Sequence, residues 1–145
     1  MCLIVDTNVG ARFFDVPDPD LEPLRRAVLG KGCCLVYGGE LRREYMKLTE
    51  VRRKLVIWDR AGKAKAIPDT TVDARSRQLV LTGALKSDDP HIIALAQEAG
   101  SRLLCSEDKA LHDDFTNPAF LQNPRGKIYQ NPSHVRLLAK HCRPC

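Results

Sequence analysis

The sequence contains no long apolar run. None of its hydrophobic stretches approaches the roughly 20 residues that a membrane-spanning helix needs, so we expect no membrane partner. The opening stretch MCLIV is too short for the apolar region of a signal peptide and meets Asp6 at once. We therefore expect a protein that is not exported and that stays in the cytoplasm.

Motifs of several common enzyme classes are also absent. Neither GxxxxGK[ST] nor GxGxxG occurs, which disfavours nucleotide-binding enzymes. The four histidines have no motif context that would support Ser–His–Asp hydrolysis. The chain does have 145 residues, 43% hydrophobic and 28% charged, which suits one folded domain. We predict a single domain over residues 1–145, in which 116–145 is a C-terminal extension that includes the last strand.

The six cysteines do not suggest a disulfide framework. Four of them lie inside apolar runs, where free cysteine behaves as a small hydrophobe: Cys2, Cys33, Cys34 and Cys105. Cys142 and Cys145 form a lone CxxC beside His141, which falls short of the four ligands of a structural zinc site. We therefore predict a frayed tail with two free thiols.

The positive charge is concentrated in one segment. The net charge is +5, and residues 41–65 hold nine Lys or Arg against three Asp or Glu. Such a block is typical of a protein that binds a polyanion. A solvated helix face would give the same pattern, and the charge alone does not separate the two interpretations.

Short apolar strands alternate with helical segments along the chain. The stretches CLIV, CCLVY and RLLCS predict buried strands, and KIYQ predicts a last one. Helices are predicted over 20–29, 39–48, 49–66, 70–82, 90–99, 109–115 and 133–141. Wholly apolar strands separated by helices indicate an α/β fold, here a three-layer α/β/α sandwich with a central, mainly parallel sheet.

Acidic residues follow two of the predicted strands. Asp6 comes directly after the first strand, and Ser106 and Asp108 follow the third. Ligands of parallel sheets bind outside the carboxyl ends of the strands, so these side chains are expected at one edge. Each also has a local explanation, since Asp6 can form an Asx-turn, and Asp108 or Ser106 can cap the next helix.

Two further acids lie on the inner faces of helices. Glu44 falls inside the apolar stripe of Leu41 and Tyr45, where an uncompensated charge is costly, and Glu40 is the reserve candidate. Asp89 leads the buried face of the helix that begins at Pro90, where it is also a natural N-cap.

Local explanations for all four acids would require four separate coincidences, each at a strand end or at the inner face of a helix. Carboxylates that share a pocket repel one another and oppose folding. A hard divalent cation resolves this, and Mg²⁺ or Mn²⁺ accepts carboxylate oxygens while keeping water molecules. The sequence therefore predicts a metal site of Asp6, Glu44, Asp89 and Asp108.

With these residues in place, the sequence resembles the PIN-domain family of small metal-dependent ribonucleases. The matching stretches are LIVDTNV, GGELRREY, DDPHIIALA and LLCSED, in that order, within residues 1 to 115. The resemblance implies that Asp6, Glu44, Asp89 and Asp108 are the catalytic ligands of Mg²⁺ or Mn²⁺. Asn8 matches an accessory position, as does Ser106, which is usually threonine in the family.

The resemblance also implies an activity and partners. The expected reaction is endonucleolytic hydrolysis of RNA. Because the basic segment 41–65 begins on the helix of Glu44, its Arg42 and Arg43 are expected near the backbone phosphates. Single-domain bacterial members resemble toxins of toxin–antitoxin pairs, so a small antitoxin protein is an expected partner. Homodimerisation is common in the family, and Trp58 with Val56 and Ile57 forms either an apolar patch for it or part of the core.

Two other functions compete with the nuclease. A non-catalytic RNA-binding or scaffolding relative would have the same fold but would not cleave RNA. A haloacid-dehalogenase-type phosphatase also begins with a strand followed by Asp, but its motif has a second Asp where this chain has Asn8. The chain is also short for that class.

Overall fold

The computed structural model describes residues 2–16 and 18–145 and is an α/β protein. Its sheet has five parallel strands in the order β3-β2-β1-β4-β5. The strands are β1 (Leu3–Val5), β2 (Leu35–Tyr37), β3 (Ala64–Ala66), β4 (Leu103–Cys105) and β5 (Lys127–Ile128). This confirms the predicted class, with every strand parallel, and is consistent with a three-layer sandwich.

Helices occupy most of the connections. They are α1 (Gly10–Phe14), α2 (Glu22–Leu29), α3 (Gly39–Met46), α4 (Thr49–Arg60), α5 (Asp69–Thr82), α6 (Pro90–Ala99), α7 (Lys109–Thr116) and α8 (Arg136–His141). Short 3-10 turns cover Thr7–Val9 and Pro132–His134. No helix in the described part of the chain combines the length and apolarity needed to cross a bilayer.

The core lies where the helices cover the sheet. Every residue of β1, β2 and β4 is buried, as their continuous apolar sequence predicts. Trp58 belongs to this core, with only 5% of its surface exposed, and its ring stacks on Phe14. Val56 and Ile57 lie on the outer side of the same helix, so the three residues do not form one patch.

The strand order reverses next to β1. From β1 the chain adds β2 and β3 on one side, and it then returns to place β4 and β5 on the other. In parallel sheets a reversal of this kind opens a crevice at the carboxyl ends of the two central strands. The crevice here lies beyond Val5 and Cys105, which are paired in register.

The prediction of one helix over residues 49–66 is wrong at its end. Helix α4 stops at Arg60, and residues 64–66 form β3, which pairs with β2. Gly62 has a φ of +74°, a conformation that glycine adopts readily, so it reverses the chain after the helix. Helix α1 was not predicted, although its Phe13 and Phe14 are among the largest buried side chains.

The predictions for four of the cysteines are also wrong. Cys33 is bonded to Cys142 and Cys34 to Cys145, so the tail is attached and these thiols are not free. The partners are 109 and 111 residues apart, and only the folded topology brings them together. Residues 116–145 contribute β5 to the sheet, so they belong to the domain.

Candidate functional site

Asp6 is the central acid of the crevice. It directly follows β1, its backbone N–H donates to the Cys105 carbonyl oxygen over 2.9 Å, and only 6% of its surface is exposed. The Ser106 hydroxyl donates to Asp6 Oδ2 over 2.7 Å. The structure therefore joins the ends of the two central strands through a carboxylate and a hydroxyl.

Ser106 also holds two of the other predicted site residues. Its hydroxyl oxygen accepts from Asn8 Nδ2 over 3.3 Å and from the Asp108 backbone N–H over 3.1 Å. Asp108 in turn is the N-cap of α7, and its carboxylate accepts from the Leu111 N–H over 3.1 Å. One oxygen of Asp108 thus has a structural role, which the capping interpretation predicted, and the backbone of Asp108 is held by Ser106.

Glu44 reaches the same crevice from α3. The neighbouring Tyr45 is completely buried, and its hydroxyl donates to the Val5 carbonyl oxygen at the end of β1. This contact fixes the helix against the strand that carries Asp6. Thr7 then donates its hydroxyl to Glu44 Oε2 over 2.6 Å and lies 3.4 Å from Asp6 Oδ1. The predicted inward position of Glu44 agrees with this placement.

Thr7 and His91 are site residues that the sequence reasoning missed. Thr7 bridges two of the acids, and His91 Nε2 lies 3.4 Å from Glu44 Oε1, with 8% of the residue exposed. Thr7 follows Asp6 directly, so an Asp–Thr pair at a strand end was the available signal. His91 gave a weaker one, as a polar residue on the first turn of a buried helix.

Asp89 occupies the N-cap position of α6 but does not cap it. Its carboxylate accepts no capping hydrogen bond from the described part of the helix. Burial raises the pKa of the Asp89 carboxyl, and the charges of Asp6, Asp108 and Glu44 add to the increase, while His91 opposes it. Asp89 therefore lies within electrostatic range of the other three acids. We call these four acids the carboxylate edge.

The raised pKa of Asp89 predicts a pH-dependent cost to folding. A carboxyl whose pKa is higher in the folded state holds its proton more tightly there, so stability falls as pH rises through that window. In EDTA, Asp89→Asn should be more stable than the wild type at pH 7. Its free energy of unfolding should also fall less as pH rises from about 4.

Denaturant unfolding at several pH values measures this effect. Asp88→Asn is the matched control, because Asp88 is exposed and is the neighbouring residue of the same type. It should retain the pH profile of the wild type. A less stable Asp89→Asn protein with an unchanged profile would contradict the repulsion among the acids.

The carboxylate edge has little compensating positive charge. Among residues 2–16 and 18–145, no Lys or Arg forms an ion pair with Asp6, Asp89 or Asp108, and Glu44 has only His91. In the same residues no three His, Cys, Asp or Glu side chains are grouped as a ready-made metal cage. The carboxylate oxygens of these acids are donors of the kind that Mg²⁺ or Mn²⁺ prefers.

The two arginines predicted as phosphate ligands are engaged with acids. Arg42 pairs with Asp69 at 3.2 Å, and Arg43 pairs with Asp73 at 2.8 Å and with Glu40 at 3.0 Å. Glu40 thus points to the α5 side of the helix, and Glu44 is the acid of α3 that lies in the crevice. Contact of either arginine with a nucleic acid stays a prediction.

Comparisons with known proteins return no relative for this chain. No family profile matches it, and neither the curated proteins nor the solved structures contain a chain of significant similarity. The case for a function therefore depends on the residues of the crevice.

Proposed function

We propose that the protein is a Mg²⁺- or Mn²⁺-dependent endoribonuclease of the PIN type. The observation that carries the proposal is Asp6, a buried acid at the reversal of the strand order that pairs with no Lys or Arg in residues 2–16 and 18–145. Thr7 links Asp6 to Glu44, and Ser106 links it to the backbone of Asp108. The charge of Asp6 also raises the pKa of Asp89. A bound hard cation would offset the repulsion among these acids.

The chemistry follows from what such a cation supplies. A bound Mg²⁺ or Mn²⁺ provides an activated water and stabilises the charge that develops on the phosphate during hydrolysis. The chain's own residues set the position of the carboxylates: Ser106 orients Asp6, and Thr7 orients Glu44. Asn8 holds Ser106 in turn, so the accessory residues act on the acids.

The basic segment 41–65 supports a polyanionic substrate. It covers α3, α4 and β3, and it begins on the helix that carries Glu44. Arg52 and Arg60 are exposed on α4 and take part in no ion pair among the described residues. Binding of RNA by such a surface should weaken steeply as salt is raised.

Glu44 and Glu40 allow a direct test on one helix. We expect Glu44→Gln to reduce Mn²⁺-dependent cleavage of a labelled RNA by about 10- to 100-fold, as loss of an acid at a metal site does. Glu40→Gln should cut like the wild type, because Glu40 faces Arg43. The assay is run with Mn²⁺ and again with EDTA.

The same assay separates the competing functions. RNA binding without cleavage in any metal would favour a scaffolding protein, and release of phosphate from a small phosphomonoester would favour a phosphatase. Equal cleavage by both glutamate variants would remove Glu44 from the proposed site.

We extend the proposal to the setting of a toxin. We propose that the protein acts in the cytoplasm, on RNA, and that a small antitoxin protein inhibits it there. The proposed assembly is a homodimer. Expression of the active protein should then arrest growth, whereas expression of an inactive variant should not. Growth unaffected by active protein would count against a toxin while leaving the nuclease proposal standing.

A further inference from the structure

Two disulfides attach the last residues of the sequence to the end of the sheet opposite the carboxylate edge. Cys33 and Cys34 immediately precede β2, whereas Gly39 and the α3 acids follow it. The two disulfides therefore lie at the amino edge of the sheet, and the candidate site lies at the carboxyl edge. Whatever the disulfides do, they act apart from the crevice.

The non-covalent attachment of this segment is modest, since its Leu137 and Leu138 are only partly buried against the core. Helix α8 has six residues, of which only His141 is buried. Isolated helices of fewer than about 12 residues are marginal in water. Within the described part of the chain, one backbone hydrogen bond, from the Cys34 N–H to the Arg143 carbonyl oxygen over 2.8 Å, joins the segment to the start of β2. Burial of His141 leaves its Nδ1 without a partner among the described residues, which weakens the docking further.

We propose that Cys33–Cys142 and Cys34–Cys145 form a redox latch, which docks residues 136–145 when oxidised and releases them when reduced. Each bond forms by thiol–disulfide exchange with a small-molecule disulfide such as oxidised glutathione. Two protein thiols lose two protons and two electrons, and the reagent leaves as two thiols. The reverse exchange with a dithiol reductant opens the latch.

The two bonds differ in access. Cys145 is exposed, whereas 5% of Cys142 and 1% of Cys33 are accessible. A reductant must reach a sulfur atom, so Cys34–Cys145 opens first and Cys33–Cys142 follows. The latch thus has an outer and an inner step.

The two bonds are also redundant in stability. Either one closes a loop of more than 100 residues and removes most of the chain entropy that both can remove. The second bond then closes only a short ring between neighbouring anchor points. Loss of one bond should therefore cost far less than loss of both.

The experiment compares the full chain after treatment with oxidised glutathione and after treatment with a dithiol. Thiol titration should give two free thiols in the oxidised protein, Cys2 and Cys105, and six after reduction. Reduction should lower the thermal midpoint by about 10 to 20 °C. Well below that midpoint, trypsin should cut after Arg136 and Lys140 faster in the reduced protein.

Variants locate the effect. Cys145→Ser and Cys142→Ser should each keep most of the oxidised midpoint, and the double variant should match the reduced wild type. Cys2→Ser is the control and should behave as the wild type in both states. RNA cleavage below the midpoint should be the same in both states, so failure of the latch is distinguishable from failure of the nuclease.

Three results would overturn the latch. The first is six free thiols after oxidation, and the second is a midpoint and trypsin rate that reduction leaves unchanged. The third is a zinc ion held by the reduced protein, with stability lost to a chelator, because the thiolates would then be metal ligands.

Discussion

Asp6→Asn should reduce metal-dependent RNA cleavage by at least about 100-fold while leaving the fold intact. Asparagine keeps the shape of the side chain and an oxygen that can accept from Ser106, so the contacts at the ends of β1 and β4 can persist. What disappears is the negative charge nearest the centre of the crevice. Rates are measured at saturating Mn²⁺ on a labelled RNA.

Two controls accompany this variant. Asp15→Asn makes the same chemical change at an exposed residue at the end of α1, and it should cut like the wild type. Thermal unfolding of Asp6→Asn in EDTA should be at or above the wild-type midpoint, because one repulsive charge has been removed. An Asp6→Asn protein that cuts within twofold of the wild type would refute a metal role for Asp6.

Gly39→Ala should destabilise the protein by about 2 to 4 kcal/mol. Gly39 has a φ of +60°, and a Cβ placed there would lie 2.7 Å from Val72 Cγ1. Val72 is completely buried in α5, so it cannot relieve the contact by turning into solvent. The residue also begins α3, whose position sets that of Glu44. Denaturant unfolding gives the loss of stability.

Gly83 provides the matched comparison. Its φ is +64°, but a Cβ there would meet no atom of the described residues within 4 Å. Gly83→Ala should therefore cost only the backbone strain, about 1 to 2 kcal/mol. The difference between the two variants isolates the contact with Val72. Equal losses would show that α3 can shift away from α5 without cost.

Much of the fold could be predicted from the apolar pattern alone. The continuous hydrophobic runs of β1, β2 and β4 are readable because both faces of each strand are buried. Strand β3 was missed because its sequence is AKA, with two exposed residues, and it belongs to the sheet only through its pairing with β2. The local sequence of β3 does not indicate that it pairs with β2.

The prediction of free thiols for Cys33, Cys34, Cys142 and Cys145 was wrong for a related reason. Cys33 and Cys34 lie in an apolar run, and burial is what such a run predicts for a free thiol as well as for a disulfide. The partner lies more than 100 residues away, and its approach depends on the path of residues 129–145 after β5. Which cysteines pair over such a sequence separation cannot be deduced from their spacing.

The residues of the candidate site likewise differ in how well they could be predicted from the sequence. Asp6 and Ser106 could be predicted together because each ends a parallel strand, and adjacent parallel strands place their ends side by side. Thr7 and His91 gave only weak signals in the sequence, since their roles depend on how closely α3 and α6 approach the crevice. Those approaches are set by packing between elements that are distant in the sequence, such as the contact of Tyr45 with Val5.

Direct titration of Mn²⁺ into metal-free protein, followed by electron paramagnetic resonance, tests whether the carboxylate edge holds a cation. Wild-type protein and Asp88→Asn should bind Mn²⁺ alike, and Asp6→Asn and Asp89→Asn should bind it at least about tenfold more weakly. Wild-type protein that binds no Mn²⁺ at millimolar concentration, or variants that all bind it equally, would contradict the account.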